Sequence, residues 1–194
     1  VAVEPLLRAD ACEHLSVFGT VICLERAHTG VTEELDVSIR PAKLADAPTL
    51  AILYREAYAM NVELGFPSRA AEATRADLEG WIRDARPYVA VESGVIVGAI
   101  RYRTQGYYDR DAPEFGRLAV PPRARGRGVA DTLIKHVEGV AQREGSDRLR
   151  LRTFDGHPFL PDLYHRRGYE STRVRTLEEA PFDVLHMCKW FDSD

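Results

Sequence analysis

The chain has 194 residues, 45% hydrophobic and 29% charged, which suits one self-supporting core and argues against general disorder. A formal net charge of −4 sets the chain as a whole apart from polyanion binders, so no nucleic-acid partner is expected. The three cysteines, Cys12, Cys23 and Cys188, are too few for a disulfide framework and stand at no metal-ligand spacing, so a reduced, cytoplasmic protein without a metal is expected.

Residues 1–36 fall outside the pattern of the rest. They read as an extension, an added strand or hairpin or an arm used in homodimerisation, ahead of one domain spanning 37–190. The apolar run from Leu15 to Leu24 is shorter than the about 20 residues of a bilayer span. It follows Glu4, Asp10 and Glu13, so neither a membrane anchor nor a signal peptide is expected. Val37 to Arg40 predicts a strand ended by Pro41. Asp46 is a candidate N-cap, with Pro48 in the first turn of a helix that buries Leu50, Leu53, Tyr54 and Ala57. Gly65-Phe66-Pro67 breaks it, and a second helix with Leu78, Trp81 and Ile82 on its apolar side stops before Pro87.

Tyr88 to Val91 and Val95 to Tyr102 predict a hairpin across Ser93-Gly94. A polar loop, residues 104–113, leads to a strand from Phe115 to Val120. Gly126 and Gly128 open a long helix with Leu133, Ile134, Val137 and Val140 inward and Gly145 just past its end. Arg148 to Thr153 is a strand with Leu149 and Leu151 inward; its three arginines read as a solvated face or a salt-bridged edge. A short helix over 158–167 and two closing strands complete the order β-α-α-β-β-β-α-β-α-β-β. The class is α/β with a mixed sheet, mostly antiparallel in its first half.

The glycine-rich turn carries the first chemistry. A helix start presents unpaired backbone N–H groups and the positive end of the helix dipole. Gly126 and Gly128 let a phosphate approach them, and Arg123, Arg125 and Arg127 add charge. A P-loop would need Lys and Ser or Thr where Val129-Ala130 stands, and a dinucleotide fingerprint would need Gly or Ala in place of Asp131. What fits is R/Q-x-x-G-x-G/A, met by Arg125, Gly128 and Ala130. With Arg117-Leu118-Ala119-Val120-Pro121 before it and Leu133-Ile134 after it, the stretch resembles the acetyl-CoA-binding motif of the GNAT N-acetyltransferase superfamily.

That resemblance implies a bulge in the strand before the turn, with Leu118, Ala119 and Val120 along the pantetheine. It also implies Arg125, Gly126, Arg127, Gly128, Val129 and Ala130 around the pyrophosphate. Tyr164-His165-Arg166-Arg167-Gly168-Tyr169 resembles the family's closing motif, Y-x-x-x-G-Y/F. By the same resemblance Tyr164 sits near the cofactor sulfur, where a phenol can protonate the departing thiolate. Glu114 opens the strand where some relatives place a base glutamate; Tyr107, Tyr108, Asp109 and Asp111 stand in reserve. Backbone N–H groups near Leu118 or Ala119 would face the oxyanion. His157 stands where relatives often have an asparagine on the pantetheine, and reads as a surface histidine.

The implied activity is direct transfer of an acetyl group from acetyl-CoA to an amine of a small molecule or protein. Alternatives are a non-catalytic acyl-CoA-binding regulatory domain, or a transferase with another acyl donor or an O-acyl acceptor. The acceptor site is expected between residues 58–75 and the 104–113 loop, whose acidic groups favour a cationic small molecule or a protein amine.

Overall fold

Unbroken apolar runs in the central strands, Tyr88 to Val91 and Val95 to Ile100, put one core on each face of a single sheet. The computed structural model describes residues 36–107, 110–178 and 180–191, so the expected N-terminal extension, Tyr108 and Asp109 lie outside the described residues. Among the described residues, seven strands and four helices follow in the expected order: β1 (Val37–Pro41), α1 (Ala47–Glu63), α2 (Arg75–Asp84), β2 (Arg86–Glu92), β3 (Val95–Arg103), β4 (Glu114–Ala119), α3 (Val129–Arg143), β5 (Arg148–Phe154), α4 (Leu160–His165), β6 (Glu170–Arg175) and β7 (Val184–Trp190). The sheet runs β1-β2-β3-β4-β5-β7-β6. Every neighbouring pair is antiparallel except β4 and β5.

The β2–β3 hairpin turns on Ser93 and Gly94, at φ +48° and +79°, the paired left-handed conformation that matches strand twist. On one face, α3 packs Val129, Leu133, Ile134, Val137 and Val140 against Ile100, Tyr102, Phe115, Leu149 and Leu151. On the other face, α1 and α2 bury Leu50, Leu53, Tyr54 and Leu78 with Val89, Ile96, Ala99 and Ala119. Buried polar ends are tied down: the Tyr102 hydroxyl donates to Glu144 and that of Tyr169 to Glu138 on α3, both at 2.8 Å.

Three local expectations change. Asp46 does precede α1, but its carboxylate takes Arg40 and the Lys43 N–H rather than capping the helix. β2 begins at Arg86 and includes Pro87, so the strand starts without a linker after α2. β5 is interior, between β4 and β7, so its arginines are not on an edge; Arg148 and Arg150 pair with Asp111, and Arg152 with Glu114. Among the described residues, no helix is long and apolar enough to cross a membrane.

Gly98 on β3 sets how closely α3 can approach. A Cβ there would lie 2.7 Å from Val129 Cγ1 and 3.0 Å from Leu133 Cδ1. Gly98→Val is therefore expected to destabilise the protein by about 1–3 kcal/mol through overpacking. Urea unfolding measures this, and an unchanged midpoint would contradict the seating of α3 on Gly98.

Candidate functional site

β4 and β5 pair only at Glu114↔Arg150 and Phe115↔Leu151. Beyond them β4 continues to Ala119 along β3, while β5 continues to Phe154 along β7. The two parallel strands splay, leaving a cleft open toward their C-terminal ends. The expected bulge is present: the β3–β4 register shifts between Ala99↔Ala119 and Arg101↔Gly116. Arg117 absorbs the extra residue at φ +51°. For a side chain other than glycine this conformation costs about 1–2 kcal/mol. Two contacts hold it. The Tyr54 hydroxyl of α1 donates to the Arg117 carbonyl at 2.9 Å, and the Arg117 guanidinium lies 3.5 Å from the centre of the Trp81 ring on α2.

After β4 the chain turns through Pro121 and a short 3-10 turn, Pro122–Ala124, to the start of α3. Gly126 and Gly128 sit at φ +73° and +78°, and Gly128 is the helix N-cap. A glycine cap offers no side-chain acceptor, so the first-turn N–H groups face outward uncapped. Val129 anchors the turn with its side chain fully in the core, which leaves its N–H and that of Ala130 as the contribution to the site. The three guanidiniums are already engaged. Arg123 pairs with Glu56 and Arg127 with Glu92; Arg125 donates to the carbonyls of Val120 at 3.2 Å and Ala57 at 3.0 Å, fastening the turn to α1. Asp131, in the first turn of α3, is neutralised by Arg167 next to α4.

Leu118 and Val120 are half-buried and pack toward the α3 core, while the Ala119 side chain is buried on the α1 side. Tyr164 is buried, 6.0 Å from the ring of Phe115 on β4 and 6.2 Å from Tyr169. Burial pushes its phenol well above the usual range, so it keeps its proton at neutral pH. Glu114 is buried, and its Oε1 accepts from Arg152 Nε at 3.1 Å and Nη2 at 2.9 Å. The Tyr107 ring lies over the Arg152 guanidinium at 5.1 Å, which brings the 104–113 loop to the same edge. Asp111 is drawn to Arg150 and Arg148, whose hydrogen bonds hold its carboxyl below the usual range.

Sequence reasoning missed an aromatic cluster at the end of β5. Phe66 from the α1–α2 loop meets Phe154 at the end of β5 at 5.3 Å, His157 at 4.8 Å and Phe182 from the β6–β7 loop at 6.1 Å. His157 is not on the surface: it is 4% exposed, and its Nδ1 accepts the N–H groups of Phe159 and Leu160 at the start of α4. The one signal for Phe66 was an aromatic inside a Gly-Pro break. Among the described residues, no cluster of three or more His, Cys, Asp or Glu side chains could hold a metal ion.

The sequence model of the acetyltransferase (GNAT) family matches residues 53–169. Solved structures share the fold. The PaiA N-acetyltransferase of Thermoplasma acidophilum, in complex with coenzyme A, is 18% identical over 80% of this chain and 99% of that one, with a TM-score of 0.65. The ribosomal-protein-alanine N-acetyltransferase of Brucella melitensis is 22% identical over 79% and 99%, with a TM-score of 0.65. The yncA protein of Salmonella typhimurium, solved with its cofactor acetyl-CoA, is 18% identical over 81% and 95%, with a TM-score of 0.63.

Gly128→Glu puts bulk and negative charge at the uncapped helix start. It is expected to weaken coenzyme A binding by at least about 100-fold, whereas a polyanion-independent effect of Arg125→Ala should appear chiefly as lost stability. Calorimetry checks both. Burial also holds the His157 imidazole below its ordinary value, and His136 likewise. Below about pH 6.5 the unfolded histidines bind protons that the folded ones resist, so stability is full above that pH and declines as pH falls through it. His157→Gln should flatten part of that decline in urea melts at stepped pH; an unaltered slope would contradict a neutral buried His157.

Proposed function

The chain belongs to the acetyltransferase (GNAT) family, and from that premise we propose that it moves the acetyl group of acetyl-CoA directly onto an amine. The observation that carries this reading is the splayed β4–β5 pair, bulged at Arg117 and running into a glycine-capped helix. Acetyl-CoA, when bound, supplies the thioester; the amine nitrogen bonds to its carbonyl carbon as the C–S bond breaks, leaving an amide and a thiol.

In this reading the N–H groups from Gly126 to Ala130 hold the pyrophosphate. The unpaired edge of β4 along Leu118, Ala119 and Val120 lies beside the pantetheine. Backbone N–H groups at the bulge, near Leu118 or Ala119, face the carbonyl oxygen as it gains charge. Tyr164 gives its proton to the departing sulfur. Glu114, on the same strand, receives the amine's proton through water. No acyl-enzyme is involved. Cys188, the free thiol among the described residues, is buried and held protonated by desolvation, which suits a bystander.

A thiol-release assay over an amine panel tests the reading. Turnover is expected with some amines; saturable acetyl-CoA binding without thiol release for any amine would mark a non-catalytic domain. Tyr164→Phe should lower kcat about 100-fold while acetyl-CoA Kd stays within twofold. Equal turnover in the variant would remove the general acid.

A further inference from the structure

β3 and β4 bring unneutralised guanidiniums to the acceptor side of the cleft. Arg101 and Arg103 alternate with Ile100 and Tyr102, which face α3, so they share the opposite face with Ala99. Arg101 is the register partner of Gly116, and its Nη2 lies 3.9 Å from where a side chain on Gly116 would begin. The glycine leaves room for that guanidinium beside the bulge. Arg117, the next residue, presents its own guanidinium over Trp81.

The neighbouring arginines of this face have carboxylate partners: Arg148 and Arg150 hold Asp111, and Arg152 holds Glu114. Arg101, Arg103 and Arg117 form no ion pair among the described residues, and the Nε of each is buried without a hydrogen-bond partner. Tyr54, Glu114 and the two other arginines face Arg101; Tyr54, Tyr58, Arg103 and Asp77 face Arg117. Desolvation and the like charges of Arg117 and Arg103 pull Arg101 down to about 10, still cationic at neutral pH. Like charges held together, partly out of water and with carboxylates nearby but none in an ion pair with them, gain from an anion of matching shape. Glu114 lies two residues from Gly116 on the same strand face, opposite Arg103. An oxyanion at Arg101 and Arg117 would therefore leave an adjacent amine beside a carboxylate.

We propose that Arg101 and Arg117 receive an oxyanion carried by the acetyl acceptor, which is a small amine bearing its own carboxylate or phosphonate, as in an α-amino acid. This rests on the acetyltransferase reading and names its substrate class. It departs from the cationic acceptor suggested by the loop acids, because Asp111 is occupied by arginines.

The test is a thiol-release panel in which each α-amino acid is matched with its primary amide, its decarboxylated amine and its aminophosphonate. The acids are expected to show kcat/KM at least tenfold above the neutral partners, and the ranking of carboxylate against phosphonate identifies the oxyanion. Arg101→Gln should abolish that preference through KM, Arg101→Lys should keep part of it, and acetyl-CoA Kd within twofold serves as the folding control. Should Arg101→Gln fail to fold, the wild-type panel decides alone. Amides or decarboxylated amines that turn over as well as the acids overturn this inference and leave the transferase reading standing. Absence of acetylation for every amine, with acetyl-CoA bound, overturns the transferase reading. The anion site is then judged by fluorescence in a Trp190→Phe background, where Trp81 is the one tryptophan left of two. A saturable response to amino acids that Arg101→Gln removes supports it, and no response overturns it.

Discussion

One hydrogen bond sets the geometry on which the cleft depends: the Tyr54 hydroxyl on the Arg117 carbonyl. A bulge at a residue with a side chain is unfavourable in isolation, and this one sits in the left-handed region. The bond fixes it from α1, while Trp81 fixes the side chain from α2. The bulge then rotates the last part of β4 away from β5. The splay is thus a property of both helices on the opposite face as much as of the strand. It also accounts for Tyr54 being fully enclosed and neutral.

Electrostatics divides the cleft into two ends of different kind. At the α3 end the guanidiniums are spent on Glu56, Glu92 and backbone carbonyls, so attraction for an anion comes from oriented N–H groups. At the β3–β4 end the charge is carried by side chains: among the described residues Arg101, Arg103 and Arg117 form no ion pair, and the Nε of each lacks a hydrogen-bond partner. Tyr164 lies beside Phe115. A donor and an acceptor that each carry negative charge would be held by separate means and kept from competing for one site.

What the sequence revealed follows from range. The glycines of the turn, the helix that follows and the spacing from Tyr164 to Gly168 and Tyr169 are local, and so is the alternation that set the element order. Arg101 and Arg117 are sixteen positions apart in the chain and meet only through a register that the bulge itself shifts. Phe66, Phe154 and Phe182 come from two loops and the end of β5, far apart in the chain, so no window contains their contact. His157 looked superficial because its neighbours are polar or turn-forming; its burial comes with the rings of Phe66, Phe154 and Phe159. The arginines of β5 read as either a solvated face or a salt-bridged edge, because alternation does not distinguish an interior strand with one open face from a border strand.

The parallel seam joins the two halves of the sheet through just two residue pairs. Backbone bonding across it is therefore slight, and the halves are united mainly by α3, whose apolar stripe reaches β2 and β3 on one side and β5 on the other. The helix acts as a keel. An extended ligand laid in the splay would act as a missing rung between the half-sheets, and amide hydrogen exchange along residues 116–119 would slow when it binds.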